Sequence, residues 1–557
     1  MPDSVYTALT FAPVQGFIEK SRKLRDLYGS SFLLSYLARQ LCEAAKQSNC
    51  TVISPALINV TQGTPNQVII QGDFPESLAK ATLDQAWTKI VEACREEIEQ
   101  RLPEFKYCWQ RAWNVCSNHT WEFFWAQTDI KDSNLPDRIG DVRRRLNEQK
   151  RSRDWTGINW SGESSTLSGA DAIAWSGMAD KFDSKRDSFA QRQHQQKEFY
   201  QRLSDEFSES IVAPNERLSI AELVKRLITL PTIADHFNLE SDQRLKIEVP
   251  MGFPDIHRHS KTPEEKRWTG WFQGDGDRIG EYLREKSNDQ NEATALNEFS
   301  RAMMDWGAAL KTKLPNSNEQ AGYRFVDDDR QVQDKDGRII YAGGDDFLGV
   351  LYRNHPQREL TAQDCLNWFY QFPEIWKTHK QKITVSIGFV WTAPGVPQRD
   401  VLQHCREAEQ SAKSSGRDRL AIRILFNSGN TLEWTCPWDY LPVLNDYCDR
   451  NGKTGKNANW THFFQDVAAL ESRHAFAKNN TVALALFKVY FGKSQCLDLE
   501  DKSIRWNDAG QSGVLGDGDR FDSEATKQEA LNEWVINLAK VGFHLHRGES
   551  AADRQVA

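Results

Sequence analysis

The sequence predicts an α+β protein of several domains, two of which combine strands with helices. At 557 residues the chain is longer than one ordinary domain. Hydrophobic residues make up 39% of it, enough to fill several cores. Strand-like segments alternate with helical ones near the N-terminus and again in the second half of the chain, and predominantly helical sequence follows each of these parts.

The N-terminal part predicts the first mixed domain. A short apolar strand is expected at 6–11, and a long helix at 17–46 follows the turn that contains Pro13 and Gly16. A second strand is expected at 67–71, and helices should fill most of 75–101.

A polar, charge-rich region at 129–242 predicts an insertion between the two mixed domains, and it should end in a helix at 219–230. It carries a group of basic residues: Arg143, Arg144, Arg145, Lys150, Arg151 and Arg153. Such a group is most simply a solvated helix face, and a surface that faces RNA or DNA is the alternative. Because the net charge is −8, any nucleic-acid contact would have to use a local patch.

The second mixed domain begins near Trp268. Strand, tight turn and helix are expected over 271–280, and a β-hairpin with Gly343 and Gly344 at its bend is expected at 337–351. Further helices and strands should alternate at 362–377, 383–391, 399–414 and 419–425. This β-α-β-β-α-β order, with one more α-β unit, predicts a ferredoxin-like palm with an antiparallel sheet.

The last part of the chain predicts a C-terminal helical bundle. Its helices are expected at 438–451, 460–478, 482–491 and 527–546. The predicted domains are therefore a first palm, a helical inter-palm domain, a second palm and a helical bundle, at 1–128, 129–250, 251–426 and 427–557.

Three acidic residues occupy two points that a palm would bring together. Asp275 ends the first strand, whereas Asp345 and Asp346 lie at the hairpin tip. Converging carboxylates repel one another unless a divalent cation lies among them. Two Mg²⁺ or Mn²⁺ ions there would polarise an attacking 3′-hydroxyl and neutralise a leaving pyrophosphate. Each feature alone has a structural explanation, a hairpin turn or a helix cap, but together they predict a catalytic metal site.

Glycines and a helix start next to these carboxylates predict a nucleotide site. Gly343 and Gly344 let the backbone approach a nucleotide closely. Arg278, Ile279 and Gly280 would offer backbone N–H groups at a helix N-terminus, where phosphates bind well.

The Gly-Gly-Asp-Asp motif, with Thr-Val-Ser-Ile-Gly at 384–388 and Ala-Lys-Ser-Ser-Gly-Arg at 412–417, resembles the palm of GGDEF-type nucleotide cyclases. The resemblance implies that Asp275, Asp345 and Asp346 hold the metals with the Gly276 carbonyl. It also implies a nucleotide-binding segment that includes Asp277, and a grip on the triphosphate by Lys413 and Arg417. Where diguanylate cyclases read guanine with Asn, this sequence has Leu283, which argues against GTP.

A wider resemblance joins four segments: 11–18, 25–31, 216–219 and 224–227. They resemble the large palm-domain subunit of type III CRISPR–Cas effector complexes, of the Cmr type. This implies a cytoplasmic enzyme that makes cyclic oligoadenylate from ATP when target RNA pairs with the CRISPR RNA. It also implies partners, namely a repeat-type subunit that caps the 5′ end of the guide and a small helical subunit.

The first palm resembles a degenerate copy of the second. Neutral residues stand at 13–15 and 64–67, where the second palm has its acidic motifs. The first copy should therefore bind no metal pair and should instead hold a second ATP. Ser30 and Ser31 are candidate contacts for it, although Ser in a helix is often purely structural.

Two features of the family are not expected. The chain begins with a palm strand, so no nuclease domain of the His-Asp type is predicted. No zinc is predicted either, because Ser residues at 164–169 replace the thiols that a zinc knuckle needs, and Cys108, Cys116 and His119 lie in an aromatic neighbourhood without zinc spacing. No signal peptide or membrane span is expected.

Two other functions stay open at this point. The enzyme could couple ATP to a different small molecule and so make another messenger. Alternatively, the chain could be a non-catalytic scaffold of the guide-RNA complex, which the clustered carboxylates oppose.

Overall fold

The fold of this chain is a mixture of many helices with two main sheets, which confirms the predicted α+β class. The computed structural model describes residues 5–60, 63–128, 137–152, 160, 162–178, 180, 188–237, 267–289, 291–316, 323–326, 332–353, 359–477, 479–502, 513–517 and 520–546. The chain forms two compact units, of which the first contains Met1–Asp255, Gly280–Ala308 and Ile340–Gly344, and the second contains the remaining residues. The four domains expected from the sequence stay a prediction.

The N-terminal part of the first unit forms a four-stranded sheet with helices. Its elements are β1 (Tyr6–Ala12), α1 (Gln15–Glu19), α2 (Leu24–Gln47), β2 (Thr51–Ser54), β3 (Val68–Gln71), α3 (Glu76–Arg101), α4 (Gln110–His119) and β4 (Glu122–Gln127). The strand order is β2-β3-β1-β4, and each neighbouring pair is antiparallel. The strands predicted at 6–11 and 67–71 and the helix predicted at 75–101 are confirmed.

The single helix predicted at 17–46 is wrong, because two helices occupy this stretch. The break lies before Leu24, where the Asp26 carboxylate accepts hydrogen bonds from the backbone N–H groups of Arg22 and Lys23. These bonds satisfy N–H groups at the start of α2 that have no partner within the helix, so a new helix begins there. Strands β2 and β4 were not predicted.

The inter-palm part contains four helices within the described residues: α5 (Arg138–Arg151), α6 (Phe189–Phe207), α7 (Ile220–Leu227) and α8 (Pro231–His236). The helix predicted at 219–230 is confirmed as α7, which Ser219 and Glu222 begin with a capping box. The basic group lies on α5, where Arg145 pairs with Asp141 at 2.8 Å. Arg153 and the predicted boundaries at 129 and 250 fall outside the described residues.

A buried ion network joins α2 to α7. The Arg226 guanidinium donates to Asp26 at 2.7 Å and to Glu216 at 2.6 Å, and none of the Arg226 side chain is exposed. Burial opposes ionisation of both carboxyls, but Arg226 outweighs it and lowers the pKa of Asp26 and of Glu216. Two of the segments that resemble the CRISPR subunit, 25–31 and 216–219, therefore meet around one buried arginine.

The same two helices touch backbone to backbone at Gly29. A Cβ atom at this position would lie 1.9 Å from the carbonyl oxygen of Lys225. Only glycine allows so close an approach, and the packing of α2 on α7 depends on it.

Gly29→Ala should lower the free energy of unfolding by at least about 2 kcal/mol, because the backbone of α7 must move to admit the methyl group. Denaturant unfolding followed by circular dichroism measures this change. Gly16→Ala is the matched control, since its Cβ would meet no neighbour nearer than 3.7 Å. Equal stability of the two variants would contradict the packing of α2 on α7.

The second half of the chain carries a six-stranded sheet. Its elements are β5 (Thr269–Gly276), α9 (Ile279–Asp289), α10 (Glu292–Leu310), β6 (Tyr323–Val326), β7 (Val332–Lys335), β8 (Arg338–Gly343), β9 (Asp346–Leu351), α11 (Ala362–Phe369), α12 (Phe372–Lys377), β10 (Val385–Thr392), α13 (Gln398–Ser414), β11 (Arg419–Leu425) and β12 (Thr431–Pro437). The sheet order is β12-β11-β10-β5-β9-β8, and β6 pairs with β7 in a separate hairpin. The strand-turn-helix at 271–280 and the hairpin at 337–351 are confirmed.

Three details of this sheet differ from the prediction. The helix expected at 362–377 divides into α11 and α12, because Pro373 cannot donate a backbone hydrogen bond inside a helix. β10 and β11 pair in parallel rather than antiparallel fashion, since α13 carries the chain back to the same end of the sheet. Strand β12 was not predicted, and it pairs with β11 along its full length.

The two sheets share one strand order. In the first sheet β1 lies between β3 and β4, and in the second β5 lies between β9 and β10. The matching sets of four strands are β2-β3-β1-β4 and β8-β9-β5-β10. In each set the strand that comes first in the chain is central, and the strand that comes second lies at the edge, next to the third.

The C-terminal helices are α14 (Thr461–Glu471), α15 (Thr481–Lys502) and α16 (Glu524–His546). The helix predicted at 438–451 is wrong: a short 3₁₀ turn forms at Leu441–Asp446, and the Asp449 carboxylate then binds three backbone N–H groups in a loop. The helix predicted at 460–478 ends earlier, at Glu471, and the one predicted at 482–491 continues to Lys502 through a kink at Gly492. Across the described residues, no helix has the length and apolar character needed to cross a bilayer.

Candidate active site

The strand β5 brings Asp275 to the end of the sheet next to the Gly-Gly-Asp-Asp hairpin. Asp275 lies opposite Ser386 on β10, and Gly274 lies opposite Phe347 on β9. Beyond the last residue pair of β5 with β9, the backbone N–H of Gly276 donates to the carbonyl oxygen of Asp345 at 3.2 Å. Main-chain hydrogen bonding therefore ties the hairpin tip to the strand that carries Asp275.

The carboxyl groups of Asp275 and Asp345 meet in this place. Burial raises the pKa of Asp345, and the charge and hydrogen bond of Asp275 raise it further, to about 7. Like charges at such short range cannot both ionise freely, so the pair holds a proton or attracts a cation. The hairpin was predicted to approach Asp275, and Asp345, the first acidic residue of the motif, does contact it.

Asp346 directly follows Asp345 and differs from it in exposure. It is exposed as the first residue of β9, whereas Asp345 lies in the turn, so the two consecutive side chains leave the backbone in different directions. Among the described residues, no three His, Cys, Asp or Glu side chains are arranged to hold a metal ion. The structure brings Asp275 and Asp345 together, and the assignment of Asp346 to the metal site stays a prediction.

Lys413 supplies the positive charge of the site. Its ammonium group on α13 contacts the Asp275 carboxylate and pairs with Glu409 at 2.6 Å. Burial disfavours the charge, but Asp275 and Glu409 outweigh that effect and raise the pKa of Lys413. The sequence predicts that Lys413 binds the triphosphate, and in the structure Lys413 contacts Asp275, a predicted metal ligand.

Glu409 is a site residue that the sequence analysis missed. Its side chain is buried, it holds Lys413 from one turn earlier on α13, and it accepts a hydrogen bond from the Gln273 amide at 3.3 Å. The spacing of four residues between Glu409 and Lys413 was the available signal, since such a pair faces the same side of a helix.

Asp277 lies inside the protein rather than on the surface of the site. It is only 4% exposed, and its carboxylate accepts hydrogen bonds from the hydroxyls of Thr384 and Ser386 and from the backbone N–H of Asp418. The side chain that was predicted to contact a nucleotide is therefore bound to the protein itself.

The remaining predicted nucleotide residues fall into two groups. Arg278 and Gly280 are exposed on either side of Ile279, which begins α9, and Gly344 has a φ of +94°, which glycine adopts without strain. By contrast, Ser30 and Ser31 are buried in α2, where the Ser30 hydroxyl donates to the Asp26 carbonyl at 2.7 Å. For Ser30 this contact is the structural role that the sequence analysis kept as the alternative.

Leu283, the residue that departs from the guanine-reading pattern, lines a cavity of about 470 Å³ in the first unit. Gly280, Arg284 and Leu296 line it together with Arg143 of α5. Glu292, also in the lining, accepts hydrogen bonds from the first backbone N–H groups of α5, so its carboxylate caps that helix.

The comparisons with known proteins agree on one family. Residues 6–115 match the model of the CRISPR-associated protein Cmr2 N-terminal region, and residues 269–421 match the model of the Cas10/Cmr2 second palm domain. No curated protein matches the chain.

Solved structures give the fold. A type III-B Cmr-beta structure in the apo state matches with a TM-score of 0.55 and 11% identity, over 97% of this chain and 82% of that chain. A Csm1–Csm4 cassette in complex with cA4 matches with a TM-score of 0.45 and 14% identity, over 98% and 70% of the two chains. Most strands of both mixed sheets lie inside the matched regions, so the chain contains one region similar to the Cmr2 N-terminal region and one similar to the Cas10/Cmr2 second palm domain.

Proposed function

We propose that this chain joins ATP molecules into cyclic oligoadenylate by nucleotidyl transfer, as the signalling subunit of a type III CRISPR–Cas effector complex. One observation carries the proposal: a carboxylate pair, Asp275 and Asp345, meets at the end of β5 beside the ammonium group of Lys413. Clustered groups of opposite charge with a strongly raised carboxyl pKa are typical of reactive sites. The match of residues 269–421 to the Cas10/Cmr2 second palm domain supports the same activity.

The strand order supports a ferredoxin-like palm that resembles GGDEF cyclases. The central β5 carries the first acidic residue, and the hairpin β8–β9 carries the Gly-Gly-Asp-Asp motif beside it. The first sheet has the same order with neutral residues at the matching turns, so we propose that it is the degenerate copy.

Asp275 and Asp345 fit a divalent metal site, because their mutual repulsion raises the pKa of Asp345 and a cation between them would relieve it. We propose that these two carboxylates and the Gly276 carbonyl hold Mg²⁺ or Mn²⁺, with the exposed Asp346 as a further ligand. When bound, two such ions supply charge neutralisation at the attacking 3′-hydroxyl and the leaving pyrophosphate.

The residues of the chain would hold and orient the ATP. We propose that Lys413 and Arg417 bind the triphosphate, and that phosphate draws Lys413 away from Asp275 as the nucleotide enters. The backbone N–H groups of Arg278, Ile279 and Gly280 at the start of α9 would bind phosphate oxygens. A Cβ on Gly343 would lie 3.1 Å from the Gly63 backbone and one on Gly344 would lie 3.5 Å from Pro65, so these two glycines admit the turn at 63–65.

The reaction forms one phosphodiester bond per step. The 3′-oxygen of one ATP attacks the α-phosphorus of another, the bond from that phosphorus to the bridging oxygen of pyrophosphate breaks, and the 3′-hydroxyl proton passes to solvent. Ring closure repeats the step within one oligomer. Leu283 offers no hydrogen bond to guanine, which favours ATP over GTP.

The proposed partners are those of a multi-subunit effector. They are the CRISPR RNA, the target RNA, a repeat-type subunit that caps the guide and a small helical subunit. The Cmr-beta structure, which shares the fold over most of both chains, supports this assignment. We propose that pairing of the target RNA with the guide switches synthesis on.

Asp345→Ala combined with Asp346→Ala should abolish product formation, because it removes the carboxylates that would bind the metals, while assembly of the complex survives. The measurement is mass spectrometry of products from labelled ATP, with Mg²⁺ or Mn²⁺, the assembled complex and matched or mismatched target RNA. Asp305→Ala, an exposed carboxylate on α10, is the control and should keep wild-type synthesis.

Three outcomes of that experiment would redirect the proposal. Unchanged synthesis in the double variant would remove this site from the reaction. A product that contains a second small molecule would indicate an ATP-coupling synthase of another messenger. A wild-type complex that makes no product with any cofactor would favour the scaffold function.

Asp345→Asn should flatten the pH dependence of stability in the metal-free protein. Asp345 in the folded chain keeps its proton up to about pH 7, but unfolded Asp loses it near a pKa of about 3.9. Its stabilising contribution is therefore complete at acidic pH and is lost as the pH rises through about 7. Between about pH 4 and pH 7 in a chelator, the wild type should lose more free energy of unfolding than the variant, because only the unfolded Asp345 has released its proton there.

Asp305→Asn serves as the control and should follow the wild-type curve. Added Mg²⁺ at about pH 8 should raise the stability of the wild type more than that of Asp345→Asn, because the ion needs the ionised carboxylate. Parallel curves for all three proteins, with and without Mg²⁺, would contradict the close contact of Asp275 with Asp345.

A further inference from the structure

We propose that Asp277 is a positioning residue of the nucleotidyl-transfer site, and that its buried carboxylate fixes the turn that carries Arg417. This inference rests on the proposed function above and extends it to a residue that does not itself touch the nucleotide. Asp275 and Asp277 would then hold opposite ends of one segment, residues 413–418.

The Asp277 carboxylate is fully engaged by three donors from two elements. The Ser386 hydroxyl donates to one oxygen at 2.7 Å, while the Thr384 hydroxyl and the Asp418 backbone N–H donate to the other at 2.8 Å and 3.0 Å. The backbone N–H of Asp277 in turn donates to the Thr384 carbonyl at 2.9 Å. The residue therefore connects the end of β5 to β10 and to the turn after α13.

That turn has an unusual backbone. Gly416, Arg417 and Asp418 have φ values of +118°, +63° and +51°, and two of these residues are not glycine. Non-glycine residues adopt this left-handed conformation at a cost, so the surrounding contacts must hold it. Without the Asp277 carboxylate, the half-buried N–H of Asp418 would lose its acceptor.

Other contacts hold the neighbouring residue but not the Asp418 N–H. The buried guanidinium of Arg419 donates to the carbonyl oxygens of Gly513 and Val514 at 2.9 Å and 3.1 Å. The Trp438 N–H donates to the Asp418 carbonyl at 3.2 Å. The Arg417 backbone N–H donates to the Ala412 carbonyl at 3.2 Å, and the Arg419 guanidinium donates to the Arg417 carbonyl at 3.0 Å. Asp277 adds the bond to the next residue, at the Asp418 N–H.

The geometry of β5 explains why two carboxylates can share this task. Asp275 lies in β5 and Asp277 directly follows the strand, and the contacts of their carboxylates place both beside the end of α13. Asp275 contacts Lys413 in the last turn of the helix, and Asp277 binds the backbone just beyond Arg417. Both cations assigned to the triphosphate are therefore positioned from one strand end.

Asp277→Ala should raise the KM for ATP about tenfold to a hundredfold, with a smaller loss of kcat, because displaced cations bind the triphosphate less well. Asp277→Asn should recover much of this loss, since its amide oxygen can accept from Asp418 and Thr384 and its NH₂ group can donate to the Ser386 hydroxyl. Both are measured in the assembled complex with target RNA, and Kd for a non-hydrolysable ATP analogue is measured in parallel.

Asp449→Ala is the matched control. Asp449 is also 4% exposed and binds three backbone N–H groups, at 2.8, 3.0 and 3.0 Å, in the loop before α14. Its loss should lower thermal stability by a comparable amount and leave KM unchanged. Hydrogen exchange at residues 415–419 should accelerate in Asp277→Ala and not in Asp449→Ala.

These readouts separate the two proposals. If the wild-type complex neither binds the analogue nor forms product, the proposed function fails, and hydrogen exchange alone still tests the anchoring of the turn. Unchanged exchange at 415–419 in Asp277→Ala overturns the positioning role. An unchanged KM beside a stability loss equal to that of Asp449→Ala overturns it as well.

Discussion

The hydrogen-bond register of β5 is the constraint on which the candidate site depends. β5 pairs with β9 on one edge and β10 on the other, so a slip by one residue would turn Asp275 to the opposite face of the sheet. Gly274 helps to fix the register, because a Cβ there would lie 2.2 Å from the Phe347 ring. The same pairing places the end of β5 beside the hairpin tip, where the Gly276 N–H meets the Asp345 carbonyl.

Charge balance at this strand end then determines what the site can do. Asp275 lies between a like charge on Asp345 and an opposite charge on Lys413, with Glu409 behind the lysine. An incoming triphosphate with its cations would compensate both signs of charge, because the metal would bind the carboxylates and the phosphate would bind the Lys413 ammonium group. A site that already contains both signs of charge needs little rearrangement to accept a ligand that contains both.

Local pattern was sufficient to predict much of the second palm and the last helix of the chain. Apolar runs bounded by turn residues gave β5, the hairpin and β11, and the helical period gave α13 and α16. The failures have particular causes: Pro373 divides one expected helix, Asp26 starts another, and Asp449 holds a loop where a helix was expected. At the site, the motif identified Asp275 and Asp345, but it gave no sign that Asp277 bonds to the N–H of Asp418, 141 residues away. Such long-range partners leave no periodic trace in a single sequence.

The Arg226 network has a consequence for how this part of the protein can be exchanged between relatives. Its two carboxylates come from α2 and from the segment before α7, so 190 residues separate the acidic partners of one guanidinium, and all three are buried. Some homologues would have other residues at the positions of these buried charges. A chimera that takes only one of the two segments from such a homologue would enclose an uncompensated ion in the interior. Crossover points for recombination should therefore leave both segments in the same parent, even though they stand far apart in the gene.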